Sequence, residues 1–140
     1  MNDVECAAIE QACAKLAIQY CHLVDQYDHD ALPKLWAKDG VWETMKGPAR
    51  NHAEIRAYLD GKDQSSQGRH HATNILVNVI DNDHAEGVCY YTFYAGPKPA
   101  KGETAPAKAP MVMGRYFDKF VRTPDGWRFA HRRMEMEFKG

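Results

Sequence analysis

The apolar residues of this chain change their period once, near Gly68, and do not change back. Before that glycine they recur at close to 3.6 residues, and after it they alternate. Helices followed by a meander of long strands is α+β order, in which one curved antiparallel sheet wraps around the N-terminal helices. In the helical part Ile9, Ala12, Cys13, Leu16, Ile18, Leu23 and Val24 predict a long helix from 4 to about 28, with Asp3 as its N-cap. A short helix over 31–37 tolerates Pro33 in its first turn, and Asp39-Gly40 then turns the chain into a brief strand at 41–43. A further helix runs over 51–60, with Asn51 as its cap, Glu54 where a capping-box acid belongs, and Gly61 as its stop. Strands are predicted near 70–80, 85–95, 111–122 and 127–138. The loop from 96 to 110 is rich in Pro, Ala and Lys and reads either as a lid over a pocket or as a solvent-exposed hairpin extension.

At 140 residues the chain can enclose one core and hardly two, so a single domain over 1–140 is expected. A net charge of −1 argues against nucleic acid as a partner. The acidic start Met1-Asn2-Asp3-Val4-Glu5, and the lack of any apolar run near the roughly 20 residues needed to cross a bilayer, argue against membrane insertion and export. A cytoplasmic location is the expectation that follows. Three of the four cysteines, Cys6, Cys13 and Cys21, share one helical pattern, Cys89 stands apart, and no C-x-x-C occurs. They read as free thiols, with no metal and no cofactor expected.

The segment with most chemical content is Gly68-Arg69-His70-His71-Ala72-Thr73-Asn74, which opens the first long strand. On an extended backbone His70 and Asn74 fall on one side of the pleat. Histidine titrates nearest neutrality, so a carboxylate set against it makes a proton-transferring base, and the candidate carboxylate is Asp25. His71 instead shares strand parity with Ile75, Val77 and Val79 and becomes the inward imidazole if no bulge intervenes. In the final strand Arg132 falls on the face of Ala130, Met134, Met136 and Phe138. An inward guanidinium is costly unless it meets an anion, either a substrate's or an internal acid's such as Asp25. Trp42, Tyr91, Phe93 and Tyr116 read as core or as the wall of an apolar pocket for a flat or cyclic molecule. Tyr20, Asp25 and Asp28 lie near the end of the first helix, while His22, His29, His52 and His84 read as surface or turn residues.

These pieces, in this order and over nearly the whole length, resemble a SnoaL-like member of the nuclear transport factor 2 superfamily. The matching elements are Ala17-Ile18-Gln19-Tyr20 through Asp25 and Asp28, Trp36 with Asp39-Gly40-Val41-Trp42, His70-x-x-x-Asn74, Gly114-x-Tyr116-x-Asp118, and Asp125-Gly126-Trp127-Arg128-Phe129. The resemblance implies a cone-shaped sheet closed by helices around a deep pocket. It is strongest to the lyase branch of dehydratases and dehydrochlorinases, which implies a cofactor-independent elimination on a small cyclic or aromatic substrate. An isomerase, a polyketide-type cyclase or a noncatalytic small-molecule binder are the alternatives. Carried over by motif, the base falls on His70 with Asp25, by the H-x-x-x-N spacing, the arginine on Arg132 and the tyrosine on Tyr20. Trp42, Asn74, Tyr91, Phe93, Tyr116 and His71 would meet substrate. A homo-oligomer, trimer ahead of dimer, is also implied.

Overall fold

A computed structural model describes residues 1–106 and 110–140. Helix α1 (Asp3–Asp25) leads into a 3₁₀ turn (Leu32–Leu35), then strands β1 (Trp36–Thr44) and β2 (Gly47–Ala49) and helix α2 (His52–Asp60). Four long strands follow: β3 (Ser66–Val79), β4 (His84–Pro97), β5 (Val112–Thr123) and β6 (Gly126–Lys139). The six strands form one curved, open sheet in the order β2-β1-β6-β5-β4-β3, so β2 and β3 are its edges. The α+β architecture with helices against a curved sheet is the one expected. One ladder differs from the antiparallel expectation: β1 runs parallel to β6, because the chain crosses from the helical part to the last strand before the meander begins.

Local signals account for most element ends. Asn2, not Asp3, caps α1: its Oδ1 accepts from the Glu5 backbone N–H at 2.8 Å while Glu5 Oε2 accepts from the Asn2 N–H at 2.9 Å, a reciprocal capping box. Ile9, Cys13, Leu16, Ala17, Tyr20 and Cys21 then line the buried face of α1. The helix stops at Asp25, three residues before the sequence expectation. Tyr27, with φ +55, takes the left-handed position that usually holds glycine, and Asp28 N–H reaches back to the Leu23 carbonyl at 3.0 Å. The expected helix over 31–37 is only a four-residue 3₁₀ turn, entered through a bend in which Asp28 Oδ1 accepts from Ala31 N–H at 3.0 Å, and Trp36 already starts a strand. Asn51 caps α2 as expected, whereas Glu54 bonds the Arg50 N–H rather than closing a box.

Two register slips decide which side chains face the helices. Between Thr73 and Leu76, β3 carries one more residue than β4, and Asn74 sits there at φ +51. Gly68, His70 and Ala72 therefore turn inward before the slip, and Ile75, Val77 and Val79 turn inward after it. A second slip leaves Ala130 as the extra residue of β6, so Trp127 and Phe129 face inward, then Arg132 and Met134. Met136 and Phe138 were expected on that buried face but are 40% and 69% exposed, and the ladder slips again there, with Glu137 the extra residue of β6. The 96–110 lid expectation includes residues 107–109, which lie outside the described residues. No helix among the described residues is long and apolar enough to cross a membrane.

Candidate active site

The end of α1 meets the start of β3 through one carboxylate. Asp25 Oδ1 lies 2.6 Å from His70 Nδ1, and Asp25 Oδ2 accepts the His70 backbone N–H at 2.9 Å. Asp25 stands one turn beyond the buried Cys21, which brings it over β3. The carboxylate holds the ring and its own backbone together, so the imidazole is fixed in position and in rotation. With Asp25 accepting, the Nδ1 nitrogen carries hydrogen and Nε2 is left with a free lone pair. Both side chains are mostly buried, 16% and 10% exposed. The ring of Phe93 stacks on His70 at 4.3 Å between centroids, and Tyr20 meets it edge-on at 6.2 Å. Gly68 permits this stack, since a Cβ there would come within 2.6 Å of the Phe93 ring.

Two hollows reach the pair. One of about 240 Å³ is walled by Val24, Leu59, Gly68 and Phe93, with His29, Lys62 and Asp63 on its polar side. Another of about 500 Å³, on the flank of β3, is lined by Cys21, His22, Arg69 and Lys98. Asp25, Tyr27, Ser66 and His70 line both, and the Tyr27 hydroxyl donates to the Ser66 carbonyl at 2.7 Å. A larger groove of about 640 Å³ crosses the outer face of the sheet past Leu76, Val88 and Phe117. Its only imidazole, His131, lies 3.3 Å from the part-exposed Glu43, a looser arrangement than the clamp on His70.

The other sequence-predicted residues divide into two groups. Asn74 and His71 are exposed: the slip at Asn74 breaks the parity that would pair it with His70, and His71 turns outward to lie edge-on to Tyr94, where it still lines the 500 Å³ hollow. Tyr20, Trp42, Tyr91, Tyr116 and Arg132 are buried, and none of them lines either hollow at His70. They pack on each other instead, with Tyr20 against Trp42 at 5.8 Å and against Tyr116 at 5.5 Å. Phe93 alone of the expected wall borders the small hollow.

Arg132 is fully buried, and its partner is Asp118 rather than Asp25. Nε donates to Asp118 Oδ1 at 2.8 Å and Nη2 to Oδ2 at 3.2 Å, and the guanidinium lies 3.9 Å from the Tyr116 ring centre and 4.3 Å from that of Tyr20. Burial alone would lower its pKa; the Asp118 carboxylate and the hydroxyls of Tyr116 and Tyr20 outweigh that and hold it raised. Burial pushes the hydroxyls of Tyr20 and Tyr116 up, so both are protonated donors at neutral pH. Among the described residues three buried side-chain polar atoms have no hydrogen-bond partner: Trp36 Nε1, Tyr91 Oη and Arg132 Nη1. Burial also raises the thiols of Cys13 to about 12 and of Cys21 and Cys89 to about 11, so none of the three is a nucleophile near neutrality.

Sequence reasoning read His29 as a surface or turn residue; it is a turn residue, yet its side chain is only 9% exposed and lines the small hollow. A turn residue has no periodicity to betray its burial. Tyr27 carried no signal either, because a left-handed tyrosine closing a helix is uncommon.

Two helices against a curved, open six-stranded sheet make an NTF2-like, cystatin-like α+β fold. The chain belongs to the SnoaL-like domain family, whose model matches residues 6–133. Among solved structures it is similar to an NTF2-like protein with a cystatin-like fold from Novosphingobium aromaticivorans, at 23% identity and TM-score 0.77, covering 95% of this chain and 84% of that one. It is also similar to a scytalone dehydratase-like protein from the same organism, at 16% identity and TM-score 0.82, covering 99% and 91%. Hexachlorocyclohexane dehydrochlorinase LinA-type3 from Novosphingobium barchaimii gives 16% identity and TM-score 0.81, covering 99% and 93%. At these identities the likeness is one of fold. No curated protein matches the sequence.

Proposed function

We propose that the protein is a cofactor-independent lyase acting on a small cyclic or aromatic molecule, with His70 as general base. The observation that carries this reading is the two-point hold of Asp25 on residue 70, which leaves His70 Nε2 uncommitted beside a cavity. The imidazole takes a proton from a carbon or hydroxyl of the substrate, and Asp25 stabilises the imidazolium that forms. Val24, Leu59 and Phe93 exclude water from that step and so strengthen it. Arg132 Nη1 and the hydroxyl of Tyr20 line neither hollow, so they would stabilise developing negative charge only once the packing of Tyr20, Tyr116 and Phe129 opens to substrate; the unpartnered state of Nη1 supports this part. The dehydratase- and dehydrochlorinase-type structures of the same fold agree with elimination as the outcome.

The test is a panel of cyclic alcohols, phenols and halogenated rings read by mass spectrometry. Loss of water or of hydrogen halide in the wild type, abolished by His70→Ala with unchanged circular dichroism, is the expected result. Product of unchanged mass makes the protein an isomerase or cyclase, and full activity of His70→Ala removes the base.

A further inference from the structure

The two hollows at His70 offer a ligand opposite surroundings. The smaller, of about 240 Å³, has an apolar wall of Val24, Leu59 and Phe93. A dry cavity of about 150 Å³ is enough for benzene, so this one has room for a single ring and little more. Its charged residues are in balance: Lys62 lies over the Tyr58 ring, and Asp63 accepts from the backbone N–H and hydroxyl of Ser65. The larger hollow, of about 500 Å³, is bordered by two cations, Arg69 and Lys98. Asp25 is the only carboxylate among its described lining residues, and it is committed to His70. The inward His70 and the outward Arg69 can border one space because β3 is an edge strand; no strand pairs with its free side, and the hollow wraps around it.

Neither cation is neutralised by the protein. Arg56, Arg115, Arg122, Arg132 and Arg133 each lie beside a carboxylate. Among the described residues Arg69 does not, and its one side-chain hydrogen bond runs from Nη1 to the Gly68 carbonyl at 2.7 Å, which leaves the other guanidinium N–H groups for a ligand. Lys98 is fixed at its root, where its backbone N–H donates to the Ser65 carbonyl at 3.1 Å, and its ammonium meets no carboxylate among the described residues. The opposite side of the hollow is the C-terminal end of α1, with Cys21, Asp25 and Gln26. A helix C-terminus carries partial negative charge, so an anion is drawn to the Arg69 and Lys98 side, and a single charge fits better than a double one.

We infer that the substrate is an amphipathic anion, with one ring seated in the small hollow against Phe93 and an arm in the large one whose carboxylate is received by Arg69 and Lys98. His70 lines both spaces, so the proton it takes comes from the carbon that joins arm to ring. The inference rests on the reading of His70 as base, which is what makes the bound molecule a substrate. Arg69 and Lys98 set specificity and take no part in the proton transfer.

Three probes test it by binding alone: 3-phenylpropionate, the uncharged 3-phenylpropanamide of the same shape, and 2-phenylethyl phosphate. They are titrated into the wild type while the ring signals of His70 and Phe93 are followed by nuclear magnetic resonance. Both cations are exposed, so the acid is expected to bind about three- to tenfold tighter than the amide at low salt. That advantage should shrink at high salt, and both ring signals should move. The double variant Arg69→Glu with Lys98→Glu, with unchanged circular dichroism, should turn the preference toward the amide. Equal binding of acid and amide, a preference that survives charge reversal, or binding that leaves both ring signals still overturns the anionic arm, and the salt series reads the same point in the wild type. Tighter binding of the phosphate than of the acid overturns the carboxylate. None of these outcomes touches His70 as base, which is read by turnover of His70→Ala. If that variant keeps full activity, the base reading fails and the assignment of a substrate fails with it, whatever the probes do.

Discussion

Two carboxylates in this protein each grip a cationic or potentially cationic partner at two points, and they do so in opposite surroundings. Asp25 holds His70 at the rim of a cavity, with both side chains slightly open to solvent. Asp118 holds Arg132 in a sealed interior, with exposures of 2% and 0%. Each arrangement leaves one nitrogen uncommitted, Nε2 of His70 and Nη1 of Arg132. The first can exchange its proton with whatever enters; the second is reached only if the aromatic packing of Tyr20, Tyr116 and Phe129 gives way. A hydrogen-bonded pair beside a cavity is suited to chemistry, while the same motif without access is first a matter of stability.

The largest expected effect separates the pairs by what they lose. Asp25→Asn keeps the size of the side chain but removes the charge that orients His70 and supports its imidazolium, and turnover should fall by about 10²–10⁴-fold with the melting temperature little changed. Steady-state rates beside a thermal melt check it, and a large drop in melting temperature with normal turnover would invert the comparison. Arg132→Met should do the opposite. It strands Asp118 as a buried charge and should cost about 3–5 kcal/mol in denaturant unfolding, whereas the double variant Arg132→Met with Asp118→Leu should recover most of that loss. Turnover in the stable double variant then reads the role of Arg132 directly: retained activity strips the guanidinium of any part in charge stabilisation.

Alkaline pH should find the buried thiols and phenols, most of which belong to the sealed side. Burial raises Tyr20, Tyr116, Cys13, Cys21 and Cys89 above their ordinary values. A group whose folded pKa lies above its unfolded one adds stability that is complete below the unfolded value and disappears as pH rises through the folded value. The melting temperature should therefore hold up to about pH 9 and fall steeply toward 11–12, as the thiols and then the phenols ionise. A flat profile over that range would mean that these groups are open to water in solution.

How much of this could be read in the sequence depends on whether a residue lies before or after an irregularity. The order of helices and strands was legible because Ile9 to Val24 and the runs after Gly68 repeat regularly. The meeting of His70 with Asp25 was legible too, by motif, but strand parity alone pointed equally to His71, and only the slip at Asn74 settles which ring faces inward. That slip is built from a left-handed asparagine, which leaves no mark in an alternating pattern. The same limit applies to Arg132. Its inward direction was readable, but its partner Asp118 was not, because the extra residue Ala130 shifts the register of β5 on β6 between the turn and that pair. Of the expected aromatic wall only Phe93 borders the small hollow, and for another reason. Spacing tells which face a ring occupies and not whether space is left beside it.

The smallest effect compares two glycines, one in each region. At Gly114 a Cβ would lie 2.0 Å from the Glu135 carbonyl oxygen, a backbone atom of the neighbouring strand, and 3.0 Å from the Tyr91 ring. Nothing there can move without parting β5 from β6, so Gly114→Ala should lower stability by about 1–3 kcal/mol or more. At Gly68 the obstacle is the tip of the Phe93 side chain, which can swing away. Gly68→Ala should therefore cost less than about 1 kcal/mol, yet it lifts Phe93 from the face of His70 and loosens the wall of the cavity. Turnover should fall about tenfold, because a catalytic ring displaced by a fraction of an ångström loses its alignment. Adding Phe93→Leu to Gly68→Ala removes the clash without restoring the stack, so its rate separates the two contributions. Recovery to the wild-type rate would show that Phe93 serves only to fill space, and a rate that stays low would show that the stacked ring itself holds His70 ready.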